Sequence, residues 1–230
     1  MEPVKKIGEK AIYSIPKVEA LTGNFLDSFQ WQPGVSIAIF CPDEGVQGKE
    51  SSLAKVSEKH SLWILYSADK SDLRIPDDAR DPATALNVAD LPDTAELTRL
   101  FIDTRDEYYR GINKTMTAWQ IVQRASFIEK QLPGSKRVCV WRQKVPVALL
   151  MLTQAKDLQG ATVDWVPWVW ISRSTPVDER RFIRARFAEW LRGNVSEKVQ
   201  CVVSTYNVRS QKFFSDLGFR AECVHLIKPK

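Results

Sequence analysis

Apolar positions recur along the chain with two different spacings, and the switches between them lay out its elements. Val35 to Cys41 and Leu62 to Tyr66 are short, nearly unbroken apolar runs, the pattern of buried strands. Ser51 to Lys59 between them reads as a short helix, so the three make a strand-helix-strand unit. Ser67 to Ala83 then breaks the pattern with charge and proline, the mark of a linker or exposed connection. The predicted division is a small N-terminal region over residues 1–80, packed on or elaborating a main domain over residues 81–230.

Beyond that break the periods alternate more regularly. Thr84 to Asp90 reads as a strand, and Asp93 begins a helix with Glu96 placed for a capping box. Leu97, Leu100, Phe101, Thr104 and Tyr108 share one face of it. Thr117 and Gln120 open a second helix, carried by Ile121, Val122, Ala125, Ile128 and Leu132 and stopped at Pro133 and Gly134. Arg137 to Arg142 and Val145 to Thr153 are strands separated by a hairpin-length gap. Thr162 to Ser172 is a third, in which strict alternation puts Trp168 and Trp170 on one face and Trp165 on the other. A helix from Pro176 buries Ile183, Phe187, Trp190 and Leu191. A strand (Val199 to Thr205), a short helix (Ser210 to Leu217) and a last strand (Arg220 to Lys228) complete the order. The fold class is α+β, or mixed α/β: a largely antiparallel sheet that turns parallel at the late strand-helix-strand crossover.

Composition narrows the class. With 44% hydrophobic and 27% charged residues, wholesale disorder and fibrous folds are excluded. The longest apolar run, Val147 to Leu152, is far short of the ~20 residues of a membrane span, and the N-terminus has no secretory pattern. No membrane is expected as a partner, and the expected compartment is the cytoplasm. A formal charge of +5 suits a phosphate-bearing ligand or an acidic partner, and equally an ordinary solvated surface. Four cysteines without a Cys-x-x-Cys spacing and two histidines predict buried thiols and no metal site.

The most specific stretch runs from Asn207 to Phe219: Asn-Val-Arg-Ser-Gln-Lys-Phe-Phe-Ser-Asp-Leu-Gly-Phe. Together with the element order, and with Asp90, Pro92 and Asp93 before a Leu- and Phe-rich helix, it resembles the GNAT superfamily of N-acetyltransferases over Thr84 to Lys230. The resemblance implies transfer of an acyl group from acetyl-CoA or another acyl-CoA to an amine on a small molecule or protein. It implies cofactor contacts from Ile171, Arg173, Arg180, Arg181, Asn207, Ser210 and Phe214. It also implies that Asn207 ends a strand whose backbone groups are left open to the cofactor.

The chain departs from the family twice. The family's glycine-rich pyrophosphate loop is replaced by Ile171 to Phe182, which contains no glycine. Thr175 and Pro176 read there as the N-cap and first position of an ordinary helix, and Asp178 and Glu179 oppose a pyrophosphate, so weak coenzyme binding is expected. The family's tyrosine acid is matched by Phe214, which has no proton to give; Tyr206 is the nearest substitute, and Asp164 stands where some members carry a base. Packing roles for Tyr206, Asp164 and the tryptophans stay open. Two further readings stand beside the enzyme: a decayed GNAT-fold module that binds a protein partner, and an activated donor other than coenzyme A, such as an aminoacyl-tRNA. Nucleic acid is not an expected partner, because Asp178, Glu179 and Glu189 interrupt the arginines between Arg173 and Arg192.

Overall fold

Two compact units share the chain. One draws on Met1–Ile75, Ala155–Asp164 and Val195–Lys230, the other on Pro76–Gln154 and Trp165–Asn194. The computed structural model describes residues 5–7, 10–14, 36–40, 61–76, 86–89, 94–110, 115–157 and 159–227. The predicted helix at Ser51 to Lys59, Cys41, and Asp90 to Asp93 lie outside these residues.

In the second unit the apolar pattern becomes a helix-on-sheet core. Strands β5 (Leu86–Ala89), β6 (Lys136–Arg142), β7 (Val145–Lys156) and β8 (Thr162–Ile171) lie side by side in that order. The two-residue gap is a tight turn in which Gln143 takes a φ of 58°, the left-handed geometry that matches strand twist. Helices α1 (Thr94–Arg110) and α2 (Ala118–Gln131) bring Leu97, Phe101, Ile128 and Leu132 onto Cys139, Leu149, Met151 and Trp168. Trp170 packs on the same cluster, as the alternation predicts. The start of α2 falls where the sequence puts it: Thr117 O accepts from the Ile121 amide at 3.1 Å. Helix α3 (Val177–Asn194) buries Phe182, Ile183, Phe187 and Leu191.

The first unit sets the two early strands of the predicted strand-helix-strand unit on either side of a late one. Its strands run β1 (Lys5–Ile7), β2 (Lys10–Ser14), β3 (Ser36–Phe40), β10 (Arg220–Ile227), β4 (Ser61–Asp69), β9 (Lys198–Ser204). β3 and β4 do not pair with each other; each lies antiparallel against one edge of β10. β4 also pairs antiparallel with β9, from Trp63↔Ser204 to Asp69↔Lys198. Thus β9, helix α4 (Val208–Asp216) and β10 form the expected late crossover, but it steps over a strand supplied by early residues. The same ladder explains why the break starts later than predicted. Ser67 to Asp69 still hydrogen-bond to β9, and the chain leaves the sheet only at the 3-10 turn Lys70–Asp72.

Candidate functional site

In the first unit the suspected chemistry gathers where β9 meets α4. Asn207 is the N-cap of α4, and its Oδ1 accepts from the Ser210 amide at 3.2 Å. This satisfies one of the unpaired amides that open every helix. The strand ends three residues earlier than Asn207, at Ser204, and its last carbonyls are occupied rather than open. Ser204 O accepts from the Asn207 amide at 2.9 Å and from Gln211 Nε2 at 3.0 Å, and Thr205 O accepts from Gln211 Nε2 at 2.9 Å. Gln211 is thus a strand-end clamp that nothing in the sequence singled out. Tyr206 stands exposed in the turn between strand and helix.

Phe214 sits inside the unit. It is 2% exposed, edge-on to Phe213 at 5.1 Å and to Phe219 at 5.0 Å. Asp164 is also buried, and its Oδ2 accepts from both the amide and the hydroxyl of Ser196, each at 2.7 Å. Those bonds make it the clamp on the turn that enters β9. Among the described cysteines, Cys139, Cys201 and Cys223 are buried, and none of them is in a disulfide. Burial pushes the Cys139 thiol up to about 12, with Glu96 adding to it, and burial raises Cys201 well above its ordinary value. Neither supplies a thiolate nucleophile.

In the second unit the residues expected to face a pyrophosphate surround the start of α3. Ile171 ends β8 half-buried, and the Ser172 amide continues the ladder to Val147 O at 2.8 Å. The helix's first backbone bond, from the Arg180 amide at 3.0 Å, goes to Pro176 O, so Pro176 rather than Thr175 takes the N-cap place. The Thr175 amide instead turns back to Ser172 O at 3.1 Å. Its hydroxyl is then left without a partner in a residue 1% exposed. Arg180 Nη2 donates to Arg173 O at 2.6 Å, which ties the loop to the helix. Arg173 is exposed, with its amide 3.3 Å and its Nε 3.9 Å from Glu107 Oε1, while Glu107 Oε2 accepts from Trp170 Nε1 at 3.1 Å. Arg181 is exposed at the start of the second turn.

Glu179 overturns the expected repulsion in part. It does not face outward beside Asp178; it is buried and paired with Arg142 on β6. The periodicity carried this signal, because Glu179 lies four residues before the buried Ile183 and so shares its stripe. Removing the cation should be costly, since it strands a desolvated carboxylate. Arg142→Met is expected to lower unfolding free energy by about 3 kcal/mol in urea titration. Adding Glu179→Met should recover most of that loss; a single variant as stable as wild type would show that the pair carries no weight.

No family model matches the chain, and no curated protein matches it. Solved structures do. A tandem GNAT protein from the clavulanic acid biosynthesis pathway has a TM-score of 0.50 at 11% identity, over 83% of this chain and 62% of that one. A GCN5-related N-acetyltransferase from Kribbella flavida has a TM-score of 0.45 at 16% identity, over 84% of this chain and 66% of that one. A predicted acetyltransferase from Clostridium acetobutylicum, solved with acetyl-CoA, has a TM-score of 0.42 at 10% identity, over 59% of this chain and 90% of that one. The chain therefore spans just under two thirds of the length of the first two. At such identities the likeness concerns the fold. With two helices ahead of the paired strands β6 to β8, and a β9-α4-β10 crossover after them, the chain has the fold of the GNAT superfamily.

Proposed function

We propose that the chain is an acyltransferase that moves an acyl group from an acyl-CoA thioester to an amine. The observation that carries this reading is the start of α3. One of its two acidic residues is withdrawn onto Arg142, while Arg173, Arg180 and the unpartnered hydroxyl of Thr175 remain around amides that attract phosphate. The fit to a pyrophosphate is partial. Charge and donors suit it, but no glycine lets the backbone come close, Asp178 stays exposed, and Arg173 is shared with Glu107. Affinity is therefore expected to be weak.

The amine nitrogen attacks the thioester carbonyl carbon, the carbon-sulfur bond breaks, and the proton of the amine leaves to solvent. Tyr206 is the residue we assign to protonate the departing sulfur, because its phenol is exposed beside Asn207 whereas Phe214 is interior. Asp164 is given no proton to move, since Ser196 already claims its Oδ2 twice. Asn207 and Ser210 hold the turn that carries Tyr206.

A thermal-shift series with acetyl-, propionyl- and longer acyl-CoA, alongside thiol release in the presence of amines, tests this. A donor at 100 times its dissociation constant should add about 2.7 kcal/mol of stability. No stabilisation by any donor at millimolar concentration, and no thiol released, would sink the reading. That result would favour a binding module for a protein partner, a second reading supported by Trp119 and Val122, both exposed on α2.

A further inference from the structure

We propose that Arg105 and Arg124 form a carboxylate-binding subsite that holds the acceptor by its own carboxylate, so that amino acids rather than plain amines are the acceptor class. This rests on the acyltransferase reading above. Arg105 lies on α1 and Arg124 on α2, two helices packed together within the second unit. The Arg105 guanidinium sits 5.3 Å from the centroid of the Phe101 ring, and its Nε is closed off from solvent with no hydrogen-bond partner. A buried donor left unpaired is rare in a folded protein and costs free energy until something accepts from it.

The charges around it sharpen the case. Burial pushes the Arg105 guanidinium down to about 10, and the positive charge of Arg124 adds to that; Tyr109 and Tyr108 act in the opposite sense. Two cations thus oppose each other where a carboxylate would be expected to separate them. The nearby acids of α1 are engaged elsewhere: Asp106 with Arg110 at 2.8 Å, Asp103 with Arg99 at 4.0 Å, Glu107 with Trp170 and Arg173. Among the described residues, no carboxylate pairs with either Arg105 or Arg124. Both side chains are half-buried, so each keeps a face that a ligand can reach.

An incoming anion on the reachable face of the pair would cancel the repulsion and give the Arg105 guanidinium an acceptor. The planar guanidinium fork matches the two oxygens of a carboxylate. The buried Phe101 ring under the Arg105 guanidinium makes that side of it apolar, and desolvating a singly charged carboxylate beside it costs less than desolvating a doubly charged phosphate.

The test is calorimetry on the full chain without donor, using matched pairs: phenylalanine against phenethylamine, and glycine against methylamine. The carboxylate-bearing member is expected to bind at least about tenfold tighter. Arg105→Gln and Arg124→Gln should each erase that preference, and Arg124→Gln should melt no lower than wild type because it relieves repulsion. Equal binding within the pairs, or a preference that survives both substitutions, overturns the subsite. Inorganic phosphate competing as well as the amino acid overturns the carboxylate assignment. Thiol release from acetyl-CoA separates the two levels of the argument. Carboxylate-dependent binding without release keeps the subsite and removes the acyltransferase reading. Release that is equally fast with phenylalanine and phenethylamine does the reverse.

Discussion

Alanine in place of Gly218 is expected to lower unfolding free energy by more than about 3 kcal/mol, a large share of the stability of an ordinary domain. Gly218 follows the last turn of α4 with a φ of 92°, a conformation that a side chain disfavours by about 1–2 kcal/mol. It is the pivot of a helix stop with two bonds, from the Gly218 amide to Ser215 O at 3.0 Å and from the Phe219 amide to Phe214 O at 3.0 Å. The contact between the Phe214 and Phe219 rings is the apolar staple that accompanies such a stop. A methyl group at Gly218 would lie 2.1 Å from Asp72 O, an overlap that backbone must yield to. Yielding would pull at the bond from the Arg74 amide to Leu217 O and at the buried Leu73, whose burial is worth about 1.5–3 kcal/mol. Gly160→Ala is the control, because Gly160 has a φ of 90° but open space around it, and only the conformational cost applies. Urea titrations giving the same loss at both positions would show that the close approach to Asp72 is not what demands glycine.

That helix stop also shows why a motif reads more clearly than its purpose. Phe214, Leu217, Gly218 and Phe219 stood out in the sequence, and the structure accounts for them as a helix termination and an aromatic cluster. The elements themselves were legible because they follow from short-range physics. The amphipathic stripes of α1 and α2, the tight turn at Gln143 and the alternation of Trp168 and Trp170 each depend on residues a few positions apart. The place of β4 did not follow, since its partners β9 and β10 lie more than a hundred residues further along and any buried strand satisfies the same pattern. Charged groups were the least legible. A glutamate at the third position of α3 reads as a helix-start anion until Arg142, distant in sequence, is seen to receive it. Arg105 drew no notice because an arginine on a helix usually reaches water, and only the surrounding packing shows that its Nε does not.

Loss of the Tyr206 hydroxyl is expected to have the largest effect on catalysis. A well-placed general acid contributes about 10²–10⁴-fold, so Tyr206→Phe should lower acyl transfer by at least ~10²-fold. Because the substitution removes one exposed oxygen from a turn held by the Asn207 cap and the Gln211 clamp, it should leave the melt and the stabilisation by acyl-CoA unchanged. Phe214→Tyr tests the alternative acid directly. At 2% exposure between Phe213 and Phe219, an added hydroxyl meets rings rather than solvent, so it should cost about 1–3 kcal/mol and leave turnover no higher. The resemblance to the family leads to the opposite expectation for that variant, a rise in turnover. A rise would place the Phe214 ring at the reacting sulfur and take the role from Tyr206. Transfer indifferent to both substitutions would mean that water protonates the thiolate, and the turn after β9 would then serve only to hold the chain.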